Sequence, residues 1–197
     1  MKTADKNRYF IDLDEFAIDF RLNILESVEI AEGFTGTESN FAFAVVGVWL
    51  RDVTGEYLII DAFRPGNFLE VIMAFQERMT APHDATLLKR IFPLGGWCEW
   101  MSGYWRRLQE DRNLESDEID YEESIPLSFM ESRIGHIAVY LYDQSQIIEI
   151  GTRGFADKSP HWVWSRFDAD YVLKNLRHIY SEMSKDIQGQ VARRKGE

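Results

Sequence analysis

Side chains able to carry acid–base or metal chemistry are few in this chain of 197 residues, and they are scattered. The four histidines are His83, His136, His161 and His178, and no two of them stand at the spacing of a metal-binding motif. The single cysteine, Cys98, has no histidine nearby, and neither HExxH nor CxxC occurs. The sequence therefore predicts no metal site, no cofactor and no catalytic residue that a motif identifies.

His161 has the most site-like setting of the four histidines, because it stands between Pro160 and Trp162 in a predicted loop. The favoured interpretation is a ring packed among aromatic side chains. The alternative is a hydrolase whose site assembles only in the fold, with His161 working beside a carboxylate. A deep pocket around the ring would favour the enzyme.

A dense acidic segment is the strongest feature of the sequence. Eight of the fourteen residues from 110 to 123 are acidic and one is basic, so most of the formal net charge of −11 lies there. A solvated loop is one interpretation, and a surface complementary to a basic protein is the other. Under the second, the partner-binding residues are Glu115, Asp117, Glu118, Asp120, Tyr121, Glu122 and Glu123, with the tyrosine as anchor.

Composition limits the class of protein. An acidic chain argues against a general nucleic-acid binder, because phosphate contacts need concentrated Lys and Arg. One cysteine permits no disulfide within the chain and suggests a reducing compartment. Acidic residues interrupt the only apolar stretch near the N-terminus, and no apolar run approaches the ~20 residues of a membrane span. We expect a cytoplasmic protein without a membrane partner.

Two hairpins and a preceding strand are predicted from alternation and turn residues. Residues 16–24 alternate apolar with polar side chains, as a half-buried strand does. The β-rich runs 41–51 and 56–61 flank Asp52-Val-Thr-Gly55, and the runs 137–142 and 146–150 flank a second short turn. Three aspartates near the first strand are interpreted as solvated: Asp12, Asp14 and Asp19.

Helical spacing predicts four helices. The first runs from Asn67 to Met79, and a short one covers residues 84–92. A helix from residue 97 to 108 carries an aromatic stripe that is read as core, or as the pocket of a small-ligand adaptor. An aromatic loop then leads to Asp168, which is expected to cap a helix whose stripe is Val172, Leu176, Ile179 and Met183.

These elements predict an α+β fold, an antiparallel sheet built from hairpins with helices packed on one face. The expected boundaries are a single domain over residues 1–187 and a flexible tail over residues 188–197. A hairpin followed by a helix occurs twice, over 41–79 and 137–184, as in a degenerate duplication.

A small acidic α+β domain with many aromatic residues, no catalytic motif and a dense acidic segment resembles the immunity proteins of bacterial contact-dependent inhibition and polymorphic-toxin systems. The stretch Val139-Tyr-Leu-Tyr-Asp-Gln-Ser-Gln-Ile-Ile-Glu-Ile150 also resembles strands of such domains. The resemblance implies a non-enzymatic protein that binds one cognate toxin domain, often a basic nuclease, and blocks its active site. The charge and the missing catalytic motifs favour the same hypothesis.

Overall fold

The structure is a computed structural model, and it describes residues 7–24, 44–80, 110, 128–132, 134–142, 144–152 and 161–195. These ranges hold eight strands, a 3₁₀ turn and two helices. The strands are β1 Arg8–Leu13, β2 Phe16–Ile24, β3 Ala44–Asp52, β4 Glu56–Phe63, β5 Ser128–Glu131, β6 Gly135–Tyr142, β7 Ser145–Thr152 and β8 Trp162–Arg166. The 3₁₀ turn is Pro65–Asn67, and the helices are α1 Phe68–Thr80 and α2 Ala169–Lys195.

The first sheet is an antiparallel meander in the order β1-β2-β3-β4. Alternation assigns its two faces, because successive side chains of a strand point to opposite sides. On β2, Ile18, Phe20 and Leu22 are buried in the core, and Arg21 points to the other face. A two-residue turn joins β1 to β2, and its Asp14 has a φ of 49°, a left-handed conformation that Asp tolerates better than most residues.

The second sheet repeats this order as β5-β6-β7-β8. Its central hairpin is buried on both faces: Ile137 and Val139 belong to the main core, and their neighbours Ala138 and Tyr140 are buried on the opposite face. Strands covered on both sides are continuously apolar rather than alternating. The near-continuous apolar run of β6 follows from this burial.

The two helices bury the stripes that their spacing predicts. Phe68, Ile72 and Phe75 are the buried residues of α1. The carboxylate of Asp168 accepts a hydrogen bond from the backbone N–H of Tyr171 at 3.0 Å and so caps α2. The stripe of α2 is buried throughout, at Val172, Leu176, Ile179, Met183 and Ile187.

Each helix packs against the sheet of the other half of the chain. Helix α1 follows the first sheet in sequence and contacts β5 and β6 of the second, whereas α2 follows the second sheet and contacts β1 of the first. The helices also contact each other, with the rings of Phe68 and Tyr180 stacked 6.2 Å apart. One hydrophobic core therefore joins both sheets and both helices.

The sheets meet where β4 crosses β6 and β7. Gly135 lies at this crossing: a Cβ atom added there would stand 2.4 Å from the carbonyl oxygen of Gly151 and 3.1 Å from the Ile59 side chain. The hydroxyl of Ser132 donates a hydrogen bond to the carbonyl of Ile59 at 2.6 Å and so links the sheets beside the crossing. Only a residue without a side chain fits this approach.

The predicted α+β class is confirmed, and so are both hairpins and the last helix. The single expected sheet is instead two sheets of four strands each. Strands β1 and β5 were not predicted, and β8 replaces part of the expected aromatic loop. Helix α2 continues to Lys195, so the expected flexible tail from residue 188 is helical over most of its length. Among the described residues, four strands followed by a helix occur in each half of the chain, where the sequence predicted a hairpin followed by a helix.

Replacement of Gly135 by alanine tests the close packing around this residue. We expect Gly135→Ala to lower the free energy of unfolding by about 3 kcal/mol, because the new methyl group overlaps a backbone carbonyl that cannot move without breaking the strand pair. Gly66→Ala is the control, since nothing lies within 4 Å of a Cβ at that position. Urea denaturation measures both, and equal stability of the two variants would contradict the close approach described at Gly135.

Candidate functional site

A cleft of about 760 Å³ lies where the turns of the first sheet face the beginning of α2. Three parts of the chain form it, and we call it the turn-end cleft. They are the β1–β2 turn with its flanking residues 12–17, the β3–β4 turn at residues 51–53, and the junction between β8 and α2 at residues 166–168 together with Tyr171. Its walls thus come from both halves of the chain.

The rim of the turn-end cleft is acidic and has exposed apolar side chains. Val53 is 94% exposed and Tyr171 is 43% exposed, so both side chains are accessible to a partner. Two basic residues, Arg51 and Arg166, are among those that line the cleft. Five acidic residues outnumber them and give the lining a net negative charge: Asp12, Asp14, Glu15, Asp52 and Asp168.

Asp52 holds the β3–β4 turn in shape. Its carboxylate accepts hydrogen bonds from the backbone N–H groups of Thr54 and Gly55, at 2.8 and 3.0 Å, and from the Thr54 hydroxyl at 2.6 Å. Burial alone would raise the pKa of Asp52, but the hydrogen bonds from Thr54, His161 and Gly55 lower it below its ordinary value. The carboxylate is therefore ionised at neutral pH and fixes the turn that presents Val53.

His161 connects this turn to the second sheet. Its Nε2 lies 2.7 Å from an Asp52 carboxylate oxygen, and its ring stacks on Tyr57 with centroids 3.7 Å apart. Its backbone N–H donates to the Thr152 hydroxyl, and its carbonyl accepts from the Thr152 N–H at 2.7 Å. The ring packs against an aromatic side chain, as the favoured interpretation has it, although the aromatic partner is Tyr57 rather than a neighbour in sequence.

A second groove of about 530 Å³ continues from the turn-end cleft along β8. All five residues of β8 line one wall, and Glu15, Phe16, Asp52 and Val53 line the other. Trp164, at the middle of the strand, is 38% exposed. The second sheet therefore places one edge of its last strand beside the acidic turns of the first sheet.

The outer face of the first sheet carries a separate network of charges. The side chain of Asp19 is fully buried there, between Arg8 and Arg21, and both guanidinium groups bind its carboxylate. Both also bind Glu56, whose pKa the two arginines lower. Arg21 lies over the ring of Trp49, 4.2 Å from its centroid, in a cation–π contact. The interpretation of Asp19 as solvated is wrong, because arginines from two strands cover it.

Buried polar groups also lie on the second face of the central β6–β7 hairpin. The Tyr140 hydroxyl donates a hydrogen bond to the Glu149 carboxylate, and both side chains are buried. His136 is fully buried on the same face, and burial lowers its pKa to about 4. This imidazole is therefore neutral at physiological pH. These groups are inaccessible to a macromolecule, and we assign them to the packing of the sheet.

The predicted partner-binding residues are not placed by the structure. Glu115, Asp117, Glu118, Asp120, Tyr121, Glu122 and Glu123 lie outside the described residues, and of the acidic segment only Glu110 is described, as exposed. The predicted helices at 84–92 and 97–108 also lie outside them. The sequence did not identify the turn-end cleft. The one available signal was the cluster of acids at residues 12–15, which the fold brings next to Asp52 and Asp168.

Searches for known features add few constraints. The described residues contain no group of three or more His, Cys, Asp or Glu side chains placed to hold a metal ion. Neither described helix is long and apolar enough to cross a membrane. Comparison with models of known protein families, with curated proteins and with solved structures finds no match for this chain.

The charge network on the first sheet predicts a large effect of removing Asp19. Asp19→Asn leaves Arg8 and Arg21 without the carboxylate between them, and we expect the free energy of unfolding to fall by about 2 kcal/mol, since both arginines are partly screened by solvent. Asp12→Asn removes an exposed carboxylate from the adjacent strand and should change stability by less than about 0.5 kcal/mol. Similar effects of the two substitutions in urea denaturation would refute the role of Asp19.

The buried imidazole predicts a dependence of stability on pH. In the unfolded chain His136 binds a proton below about pH 6.5, whereas in the folded protein it does so only below about pH 4. Protonation therefore favours the unfolded chain, so the free energy of unfolding is not reduced by this group at pH 7 and falls as the pH drops from about 6.5 to about 4. Between pH 7 and pH 5 the group should account for about 2 kcal/mol of lost stability.

In His136→Leu, the loss of stability between pH 7 and pH 5 should be smaller by that amount, whatever the absolute stability of the variant. His178→Leu is the control, because His178 is exposed on α2. Urea denaturation curves of the unaltered protein and both variants at pH 7 and pH 5 give this loss of stability. If His136→Leu loses as much stability as the unaltered protein, His136 is not the group responsible.

Proposed function

We propose that this chain is a non-enzymatic binding protein that neutralises a basic protein partner, and that the turn-end cleft is its docking surface. The observation that carries the proposal is the composition of that cleft, with five carboxylates, two guanidinium groups and the exposed side chains of Val53 and Tyr171. Exposed aromatic anchors within a charged rim are typical of protein interfaces. The sign of the charge selects a basic partner.

Rigidity of the turns supports the same proposal. The β3–β4 turn is held by the hydrogen bonds to Asp52, and His161 and Tyr57 connect it to the second sheet. A surface that is already ordered loses less conformational entropy on binding than a mobile one. Such a surface suits an inhibitor that must hold its partner tightly.

The class of partner follows from the resemblance to immunity proteins and from charge. A toxin domain that acts on nucleic acid has a basic active-site groove, and an acidic protein can occupy that groove in place of phosphates. On this proposal the acidic segment of residues 110–123 adds negative charge to the protein and accelerates association. The cytoplasm is the compartment in which such a protein protects its own cell.

A hydrolase built around His161 is the second candidate, and its support is the hydrogen bond between His161 and Asp52. A carboxylate orients the histidine of many acid–base sites in this manner. Here, however, the same carboxylate accepts three further hydrogen bonds within its turn, and the imidazole face is covered by Tyr57. These contacts favour a structural role for the pair, and we rank the enzyme second.

The proposal is tested by capture of the partner and by charge removal. Tagged protein should recover one small basic protein in stoichiometric amount from cells that encode it, and addition of this chain should block the toxic activity of that protein. Asp12→Asn with Glu15→Gln should then slow association at low salt by roughly 3- to 10-fold and flatten its salt dependence, because steering acts on the association rate.

Two further variants show which carboxylates accelerate association with the partner. Glu70→Gln with Glu77→Gln removes two exposed carboxylates of α1 that do not line the turn-end cleft, and should leave the association rate unchanged within about 2-fold. Neutralisation of Asp117, Glu118, Asp120, Glu122 and Glu123 measures the contribution of the acidic segment. A captured partner that is not basic, or equal rates for the cleft and α1 variants, would refute the proposed docking surface.

A further inference from the structure

Strand β8 has one edge that pairs with no other strand of the described residues. Strand β8 is the last of the second sheet in the order β5-β6-β7-β8, so one of its edges pairs with β7 and the other borders the groove. All five residues of β8 line that groove, whichever face of the sheet their side chains occupy. This is the arrangement expected where the edge of a strand, rather than one of its faces, forms a wall.

The register of β8 shows which backbone groups face outward. Thr152 and His161 form a hydrogen-bonded pair, because the Thr152 N–H donates to the His161 carbonyl at 2.7 Å. In an antiparallel ladder such pairs alternate with pairs that exchange no hydrogen bonds. Val163 and Ser165 therefore pair with β7, and the N–H and C=O groups of Trp162 and Trp164 point to the other side. A strand entering the groove would meet these groups.

We propose that β8 accepts an extended segment of the partner, rich in Lys or Arg, as a fifth strand of the second sheet. The proposal rests on the proposed function, since the segment belongs to the basic partner, and it adds the mode of binding. Main-chain hydrogen bonds to Trp162 and Trp164 would give affinity, as in other complexes formed by strand addition. Alternate side chains of the segment would give specificity.

Charge across the groove selects a basic segment. The wall opposite β8 is formed by the turns of the first sheet and carries the exposed carboxylate of Glu15 beside the nearly buried Asp52, while Arg166 at the end of β8 is the basic residue of the groove. The groove shares Glu15, Asp52 and Val53 with the turn-end cleft, where Asp12 and Asp14 add further negative charge. Basic side chains that point from the added strand toward this wall would meet carboxylates, whereas acidic ones would be repelled.

The test uses a synthetic peptide of nine residues in which Lys and Val alternate, labelled with fluorescein and followed by anisotropy at low salt. The Trp164 N–H points away from β7, so Trp164→Pro removes an outward donor without removing a hydrogen bond of the sheet. Trp164→Ala is the matched control, because it removes the same side chain and keeps the N–H. We expect Trp164→Pro to bind the peptide at least about 10-fold more weakly than Trp164→Ala.

A second measurement does not depend on the folding of any variant. The same peptide methylated on every backbone nitrogen keeps its charge but cannot donate hydrogen bonds, and it should bind the unaltered protein at least about 10-fold more weakly than the parent peptide. Equal binding of the parent and methylated peptides would overturn strand addition. Absence of binding of the parent peptide at millimolar concentration would overturn it too, as would equal affinities of the Pro and Ala variants in folded form.

The outcomes separate this proposal from the proposed function. If the peptide experiments fail and association of the captured partner still depends on Asp12 and Glu15, strand addition is wrong and the acidic docking surface stands. If the captured partner is not basic but the peptide binds β8 in the expected manner, the proposed function is wrong and the edge remains a binding site for extended basic segments.

Discussion

The crossing of β4 over the second sheet at Gly135 is the contact on which the remaining architecture depends. It sets the distance between the sheets, because Gly135 of β6 has no side chain and so lets Ile59 of β4 approach it closely. That distance places the turn of Asp52 next to His161 and brings the first sheet's turns opposite β8. Both the turn-end cleft and the groove along β8 are gaps between surfaces that this crossing positions.

How much of the molecule its sequence predicts depends on whether the signal is local. The two hairpins and α2 were predicted correctly because alternation, turn residues and a capping Asp168 are contained in short stretches. For the residues of β8 the sequence predicts an aromatic loop, because Trp162 and Trp164 come soon after a proline and the stretch is too short to show clear alternation. Its identity as a strand comes from pairing with β7, a relation between distant residues.

The candidate site depends on such long-range relations even more strongly. Asp12, Asp52 and Asp168 are far apart in the chain, and only the packing of the two halves brings them to one cleft. The burial of Asp19 also depends on residues that are distant in the sequence. An acidic residue in an alternating strand indicates a solvated face, and its burial follows from arginines that the register of β1 and β2 places over it.

The exchange of helices between the two halves has a consequence for biosynthesis. A ribosome releases the first sheet long before residues 169–195 exist, yet α2 supplies part of the apolar surface that covers β1, and Tyr9 of β1 donates a hydrogen bond to Asp186 of α2. The nascent first half therefore carries an incomplete core through most of translation. During that interval the apolar surface of β1 that α2 covers in the finished protein is open to non-native contacts.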